Sequence, residues 1–276
     1  MLPNLIVIGA AKCGTRSPHE YLDTHPGIAM SRPKELDFFV PEKSPGRGLK
    51  WYEQQFKDAP VRGETSPSYS VHPFRPGVPK RMHAVIPEAR LIYLVRDPID
   101  RIVSHYLHRV ANHPHIGSFQ QALVDPEQRP ELTAYSRYWQ QLEQYVECFP
   151  AEQILVVDSD ELSEKCEQTM ERIFGFLGVQ ARRSPEFHRR YNRAATHGRL
   201  TASGQLVLRG LTAALGGQRA SVVREHAPTW LRSRFRLPYE RPVPSAGLRA
   251  RLEEELRPEV EQLREHTGLP FSTRSL

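Results

Sequence analysis

LIVIGAAKCGTRS, residues 5–17, carries a buried-strand pattern straight into a turn built from glycine, lysine, threonine and serine. Leu5, Ile6, Val7 and Ile8 are branched and apolar, as a strand covered on both faces requires. Gly9 and Gly14 permit a tight turn with close backbone approach, and the following H-E-Y-L-D-T-H reads as the first turns of a helix. Strand, glycine turn and helix start converge backbone N–H groups on one point, which makes a cradle for an anion of the phosphate kind. Lys12 adds a positive charge, and Thr15 and Ser17 add hydroxyl donors. Pro18 is tolerated in a first helical turn, where its missing N–H costs little. The loop is not a Walker A sequence, because its lysine precedes the second glycine and Thr15-Arg16 follow it. A tight βα turn holding no ligand is the plainer reading of the same residues.

A second segment, LIYLVRDPIDRIVSHY (91–106), repeats the strand–turn–helix pattern. Arg96 closes the strand, Asp97-Pro98 punctuates the turn, and Pro98 suits a helix start. Arg101 and Ser104 lie three apart on that helix, on the side of the strand end. In a parallel sheet, the carboxyl ends of neighbouring strands share one crevice. Arg96 and Ser104 can then meet a second anionic group of whatever residues 9–17 hold. The alternative is an Arg96–Asp97 turn ion pair beside an ordinary helical serine.

With these residues in place, the chain resembles the sulfotransferases that use 3′-phosphoadenosine 5′-phosphosulfate (PAPS). Within them it resembles the branch of glycosaminoglycan N- and 3-O-sulfotransferases and their bacterial relatives. I-G-A-A-K-C-G-T-R-S looks like the 5′-phosphosulfate loop, and L-V-R-D-P-I-D-R-I-V-S-H-Y like the 3′-phosphate motif. H-P-G-I, K-E-L-D-F-F, G-L-K-W-Y, G-E-T-S-P-S-Y and V-P-K-R-M lie between them in the order that this branch shows. S-R-Y-W-Q-Q-L-E-Q-Y, F-P-A-E-Q-I-L-V-V-D-S-D-E-L and F-G-F-L-G-V continue it, so that the resemblance spans roughly residues 4–200.

The resemblance implies that Lys12, Cys13, Gly14, Thr15, Arg16 and Ser17 hold the 5′-phosphosulfate. It assigns Arg96 and Ser104 to the 3′-phosphate, with Tyr138, Arg193, Gly198 and Arg199 completing the nucleotide site. A planar guanidinium fork and a short hydroxyl suit phosphate oxygens. The catalytic-base position falls on Glu35, and Lys12 is the second catalytic residue. Two positions depart from the branch. Glu64-Thr65-Ser66 stands where a lysine follows the glutamate, and Asp37 stands where the 3-O members have histidine two residues after the base. Both departures fall on the acceptor side. The expected reaction is in-line transfer of a sulfuryl group to a hydroxyl or amine of a small molecule, a glycan or a carrier-bound acceptor. A P-loop-type kinase or NTPase and a catalytically inactive nucleotide-binding relative are the competing readings.

Composition agrees with a nucleotide partner. The 276 residues suffice for a single α/β domain, with a parallel sheet flanked by helices. The nucleotide-binding core is expected over about 4–200, and a helical and loop part over about 201–276. Net charge is +6, with the arginines concentrated late in the chain, which suits a polyanion. No motif for a nucleic acid polymer accompanies that charge. Cys13, Cys148 and Cys166 form no C-x-x-C and no even framework, so they read as reduced thiols of a cytoplasmic protein. His105/His108 and His113/His115 lack the partners of a metal site, and no metal is expected. No apolar run reaches the ~20 residues of a membrane span.

Core strands are expected over 4–9, 91–96 and 153–158, and helices near 16–25, 99–112, 131–148 and 161–177. Residues 40–80 are rich in proline and glycine and read as loops with short elements, suited to an acceptor-cleft wall. Ala202 to Leu215 and Leu248 to His266 look helical, and this C-terminal third is read either as a cap over the cleft or as a subunit contact in a homo-oligomer.

Overall fold

Leu5–Gly9 forms β1, and all five of its residues are buried. It is the middle strand of a five-stranded parallel sheet of order β2-β3-β1-β4-β5. The other strands are β2 (Ile28–Met30), β3 (Val61–Thr65), β4 (Arg90–Val95) and β5 (Ile154–Asp158). The structure is a computed structural model that describes residues 1–112, 116–189, 191, 198–200, 206, 210, 236–238 and 240–271. Helices α1 (Arg16–Leu22), α2 (Leu49–Glu53), α3 (Val78–Val85), α4 (Pro98–Asn112), α5 (Phe119–Val124), α6 (Arg129–Ala134), α7 (Tyr138–Val146), α8 (Ser159–Glu164) and α9 (Cys166–Leu177) connect and flank the strands. The chain runs from β1 outward through β2 and back to β3, then crosses to β4 on the other side of β1. That reversal beside β1 is where an α/β sheet opens a crevice at its carboxyl edge.

The expected strands near residues 5, 91 and 154 are present, paired in parallel through Leu5↔Arg90 and Leu91↔Ile154. Two more strands lie outside those expected: β2 falls where no element is expected, and β3 in the 40–80 stretch that reads as loops with short elements. β3, V-R-G-E-T, carries a glycine and two charges yet lies inside the sheet between β1 and β2. Gly63 is required there because a Cβ would stand 2.7 Å from Met30 Sδ and 3.0 Å from Leu5 Cδ2. Two of the expected helices are divided. The 131–148 stretch is the end of α6 followed by α7, and the 161–177 stretch breaks at Lys165 into α8 and α9. The first helix stops at Leu22 rather than residue 25.

The helix expected near 248–266 spans Ala246–Thr267, started by the Ser245 hydroxyl accepting from the Leu248 N–H and ended by Gly268 at φ +67°. Its Leu252 and Leu256 pack with Ile99, Ile102, Val103 and Phe119 of α4 and α5. Glu255 binds Arg129 and Arg137, the latter at 2.8 Å, and Glu259 accepts from the Gln140 N–H at 2.9 Å. The apolar stripe of this helix is thus consumed within the chain. Leu256→Ala should cost about 2–5 kcal/mol, read as a lowered denaturant midpoint, because the site is fully buried among aliphatic neighbours. A change below 1 kcal/mol would show that this helix is dispensable to the core. The helix expected over 202–215 lies outside the described residues, Leu206 and Gly210 excepted.

Candidate active site at the carboxyl edge of the sheet

The loop after β1 is pinned from three directions. The Ala10 N–H donates to Leu94 O at 2.7 Å, the Cys13 N–H to Ala10 O at 3.1 Å, and the Ser159 hydroxyl to Cys13 O at 2.5 Å. Lys12 takes φ +73°, a left-handed conformation that costs a side chain more than it costs glycine. Gly14 takes φ +75°, and a Cβ there would meet nothing within 4 Å, so the space above the loop is open. Cys13 is buried, with its sulfur 3.5 Å from the Tyr138 hydroxyl. Burial pushes its thiol pKa up, which argues for a packing role rather than a nucleophile. Helix α1 has only seven residues, so the loop's attraction for anions rests mainly on side chains.

Two clefts meet at this loop. The first, about 960 Å³, is bordered by Cys13, Gly14, Ser17, Tyr21, Arg96 and the α8–α9 region. Its rim is aromatic: Tyr21 stands 5.4 Å from Phe187 and 6.0 Å from Tyr191 between ring centroids. The second, about 700 Å³, is bordered by Lys12, Thr15, Arg16, Lys34, Glu35 and Ser104 among others. Gly14 and Arg96 belong to both. The structure therefore gathers Lys12, Thr15, Arg16, Glu35 and Ser104 on the second cleft and Cys13 and Ser17 on the first, with Gly14 and Arg96 shared between them. Tyr138 lies beneath Cys13 and borders neither large cleft. Arg193 lies outside the described residues, and Gly198 and Arg199 are described only as backbone of a short antiparallel ribbon, Gly198–Leu200 with Arg236–Pro238.

Arg96 does not pair with Asp97. Its Nη2 reaches Asp100 Oδ2 at 3.3 Å, one helical turn away, and Asp97 instead caps α4 by accepting from the Asp100 N–H at 2.8 Å. The Nε of Arg96 is buried with no partner among the described residues. A buried guanidinium N–H left idle suits an anion delivered from outside. Arg101, expected on the strand-end side, turns inward: it is wholly buried and donates to Ser136 Oγ and Leu132 O.

Cations crowd the second cleft. Burial lowers the Lys12 pKa to about 8 against the raising pull of Glu35. Lys34 is the residue that sequence reasoning passed over, as the ordinary neighbour of Glu35. Its ammonium lies 3.4 Å from Thr15 Oγ1 and 3.0 Å from Glu35 Oε1. Burial lowers its pKa too, again opposed by Glu35. The Lys34 carbonyl accepts from the Thr65 N–H at 3.4 Å, which ties this lysine to the end of β3. Thr65 itself is buried, and its hydroxyl is 3.0 Å from His19 Nδ1. Burial holds His19 neutral, with its pKa lowered to about 4. Only the adjacency K-E at 34–35 hinted at Lys34. Of the other carboxylates, Asp37 receives Lys43 at 2.8 Å and the Ser68 hydroxyl, while Glu64 is fully buried. Among the described residues, no group of three or more His, Cys, Asp and Glu side chains is placed to hold a metal, and no helix is long and apolar enough to cross a membrane.

A family profile for the sulfotransferase domain matches residues 2–196. The chain belongs to the sulfotransferase family. Among curated sulfotransferases, it is 28% identical over 193 residues to human heparan sulfate glucosamine 3-O-sulfotransferase 5, covering 66% of this chain and 55% of that protein. It is 30% identical over 186 residues to the human 3-O-sulfotransferase 6, covering 64% of this chain and 53% of the relative. The chain thus spans about half the length of these curated sulfotransferases. In structure, a sulfotransferase from Alicyclobacillus acidocaldarius superposes with TM-score 0.70 at 22% identity, covering 99% of this chain and 98% of the other. That likeness establishes the sulfotransferase fold around the two clefts.

Proposed function

We propose that the protein transfers a sulfuryl group from PAPS to a hydroxyl or amine of an acceptor in the second cleft. The observation that carries this reading is the shared wall. Arg96, with a buried Nε that has no partner among the described residues, separates an aromatic-rimmed cleft from one that holds Lys12, Lys34 and a half-exposed Glu35. The aromatic rim suits a nucleobase, and the loop suits the 5′-phosphosulfate. PAPS, when bound, supplies an activated sulfuryl group. Glu35 accepts the acceptor's proton as the acceptor oxygen or nitrogen bonds to sulfur. The bond between sulfur and the phosphate oxygen breaks, with its electron pair left on phosphate. Lys12 neutralises that departing oxygen, and Lys34 adds a second cation between Thr15 and the base. Lys43 and Arg75 also border this cleft, favouring an acceptor that carries negative charge.

The test is thermal shift with two nucleotides. 3′-Phosphoadenosine 5′-phosphate should raise the melting temperature, as any ligand of the folded state does, and adenosine 5′-phosphate should do so far less. Arg96→Ala should erase the difference between them. Equal stabilisation of the unmodified protein by both nucleotides would remove Arg96 from the 3′-phosphate and leave the ATP-type reading standing.

A further inference from the structure

The segment that carries Glu35 has no secondary structure of its own between β2 and α2, yet it must hold a reacting carboxylate in place. Its fixings converge on one group. Phe38 stacks on Tyr52, with ring centroids 4.1 Å apart and planes 5° apart, and Phe39 packs on Tyr52 and Tyr69 at 5.5 and 5.6 Å. The backbone N–H of Asp37 donates to Ser66 Oγ at 3.1 Å, and that of Phe39 to the Tyr69 hydroxyl oxygen at 3.4 Å. Each of these hydroxyls passes its own proton onward to Glu64: Ser66 Oγ to Oε2 at 2.8 Å, and Tyr69 Oη to Oε1 at 2.9 Å. The Tyr52 hydroxyl is the third donor, also to Oε1. Glu64, Tyr52 and Tyr69 are all buried.

We propose that Glu64 is a positioning residue, the buried acceptor that orients three hydroxyls so that two of them hold the backbone of the segment bearing Glu35. The two relays run in one sense, from amide to hydroxyl to carboxylate, and they need an acceptor-only group at their end. An ionised carboxylate meets that need, and a protonated one surrenders an acceptor site to its own proton. A glutamine in its place brings an NH₂ group that competes with the donors. For Glu35 to be the group so positioned rests on the proposed transfer reaction; the fixing of the segment does not.

The groups facing Glu64 are Tyr52 of α2, Ser66 and Tyr69 after β3, and Asp37 of the segment itself. Burial raises the Glu64 pKa to about 7, against the lowering effect of the three hydroxyls. A carboxyl whose folded pKa lies above its ordinary 4.5 binds its proton more tightly when folded. The fold therefore loses stability as pH rises from about 4.5 to about 7, and the relays become complete as pH rises through about 7. Order in the segment is obtained above pH 7 at a cost in global stability.

Amide hydrogen exchange on the full chain, resolved to residues 34–41 and corrected for intrinsic rates, tests this without any acceptor. In the unmodified protein, protection at Asp37 and Phe39 should fall as pH drops from 8.5 to 6. Glu64→Gln should speed exchange at both amides by roughly five- to tenfold, the weight of a hydrogen bond of about 1 kcal/mol, and flatten that pH dependence. The Ser31 N–H, which donates to Gly63 O at 2.8 Å, should remain protected and report that the sheet is intact. Ser66→Ala should release Asp37 alone and Tyr69→Phe should release Phe39 alone, which keeps the test available if Glu64→Gln fails to fold. The two tyrosine and serine variants, and the unmodified protein with its pH series, need no transfer activity to be read. Protection at both amides that is indifferent to pH and to these substitutions would overturn the proposal. A protein that shows these exchange changes but binds neither nucleotide would instead contradict the transfer reaction.

Discussion

Glu35→Gln should lower sulfuryl transfer by about 10²–10⁴-fold, the usual weight of a positioned general base, while folding and nucleotide binding survive. The carboxylate is half exposed at the cleft and paired with Lys34 at 3.0 Å; the isosteric amide keeps an acceptor for the Lys34 ammonium but removes the charge that opposes its burial. The stability loss should be about 1 kcal/mol, the upper end for a surface pair, because Lys34 is the more buried partner. The measurement is single-turnover transfer from PAPS at saturating nucleotide, beside the 3′-phosphoadenosine 5′-phosphate melting shift. Asp37→Asn serves as the comparison and should be milder in kcat, because Asp37 is occupied by Lys43 and Ser68. Glu64, the other carboxylate nearby, is enclosed by hydroxyls and does not border the cleft. Retention of most turnover by Glu35→Gln, with loss in Asp37→Asn, would transfer the base to Asp37.

Lys12→Ala should reduce kcat by about 10²–10³-fold and weaken nucleotide affinity much less, since its charge is needed most where negative charge develops on the leaving oxygen. Lys12→Arg should restore only part of this, because a planar fork cannot occupy the tight left-handed turn as a point charge does. The protonation state adds a second signature. Its pKa of about 8 in the fold, below its ordinary 10.5, means that the folded chain holds this proton less tightly than the unfolded chain. Stability contributed at this position therefore rises as pH climbs from about 8 to about 10.5, and the buried ammonium is a liability below 8. Lys12→Met should accordingly raise the melting temperature at pH 7 while lowering transfer as much as Lys12→Ala does. The kcat of the unmodified protein should fall as pH rises through about 8, with nucleotide affinity changing much less, and that fall should be absent from Lys12→Met. Normal kcat with only a raised KM would reduce Lys12 to a binding residue.

Local chemistry made the half of the site proposed for the nucleotide stand out in the sequence. Leu5 to Ile8 and Leu91 to Val95 are continuous apolar runs, which only a strand covered on both faces accommodates, and each ends in a residue suited to anions. Two such endings in one parallel sheet converge by geometry alone, and β1 and β4 are indeed neighbours. The half proposed for the acceptor was much less legible. β3 reads as loop because glycine and glutamate, taken singly, are both disfavoured in strands. Tertiary structure supplies what they lack: Gly63 yields its space to Met30 and Leu5, and Glu64 receives three hydroxyls from residues before and after it. Lys34 is ordinary until the end of β3 and the β1 loop bring Thr65 and Thr15 against it. Arg101 shared a helix face with Ser104 by spacing, but the inward hydroxyl of Ser136 and the carbonyl of Leu132 drew it into the core. Periodicity and turn chemistry determine which strands and anion-suited turns exist, since those depend on neighbours in the chain. Which charges are buried, paired or left facing the cleft depends on partners tens of residues away, and only the packed sheet decided that.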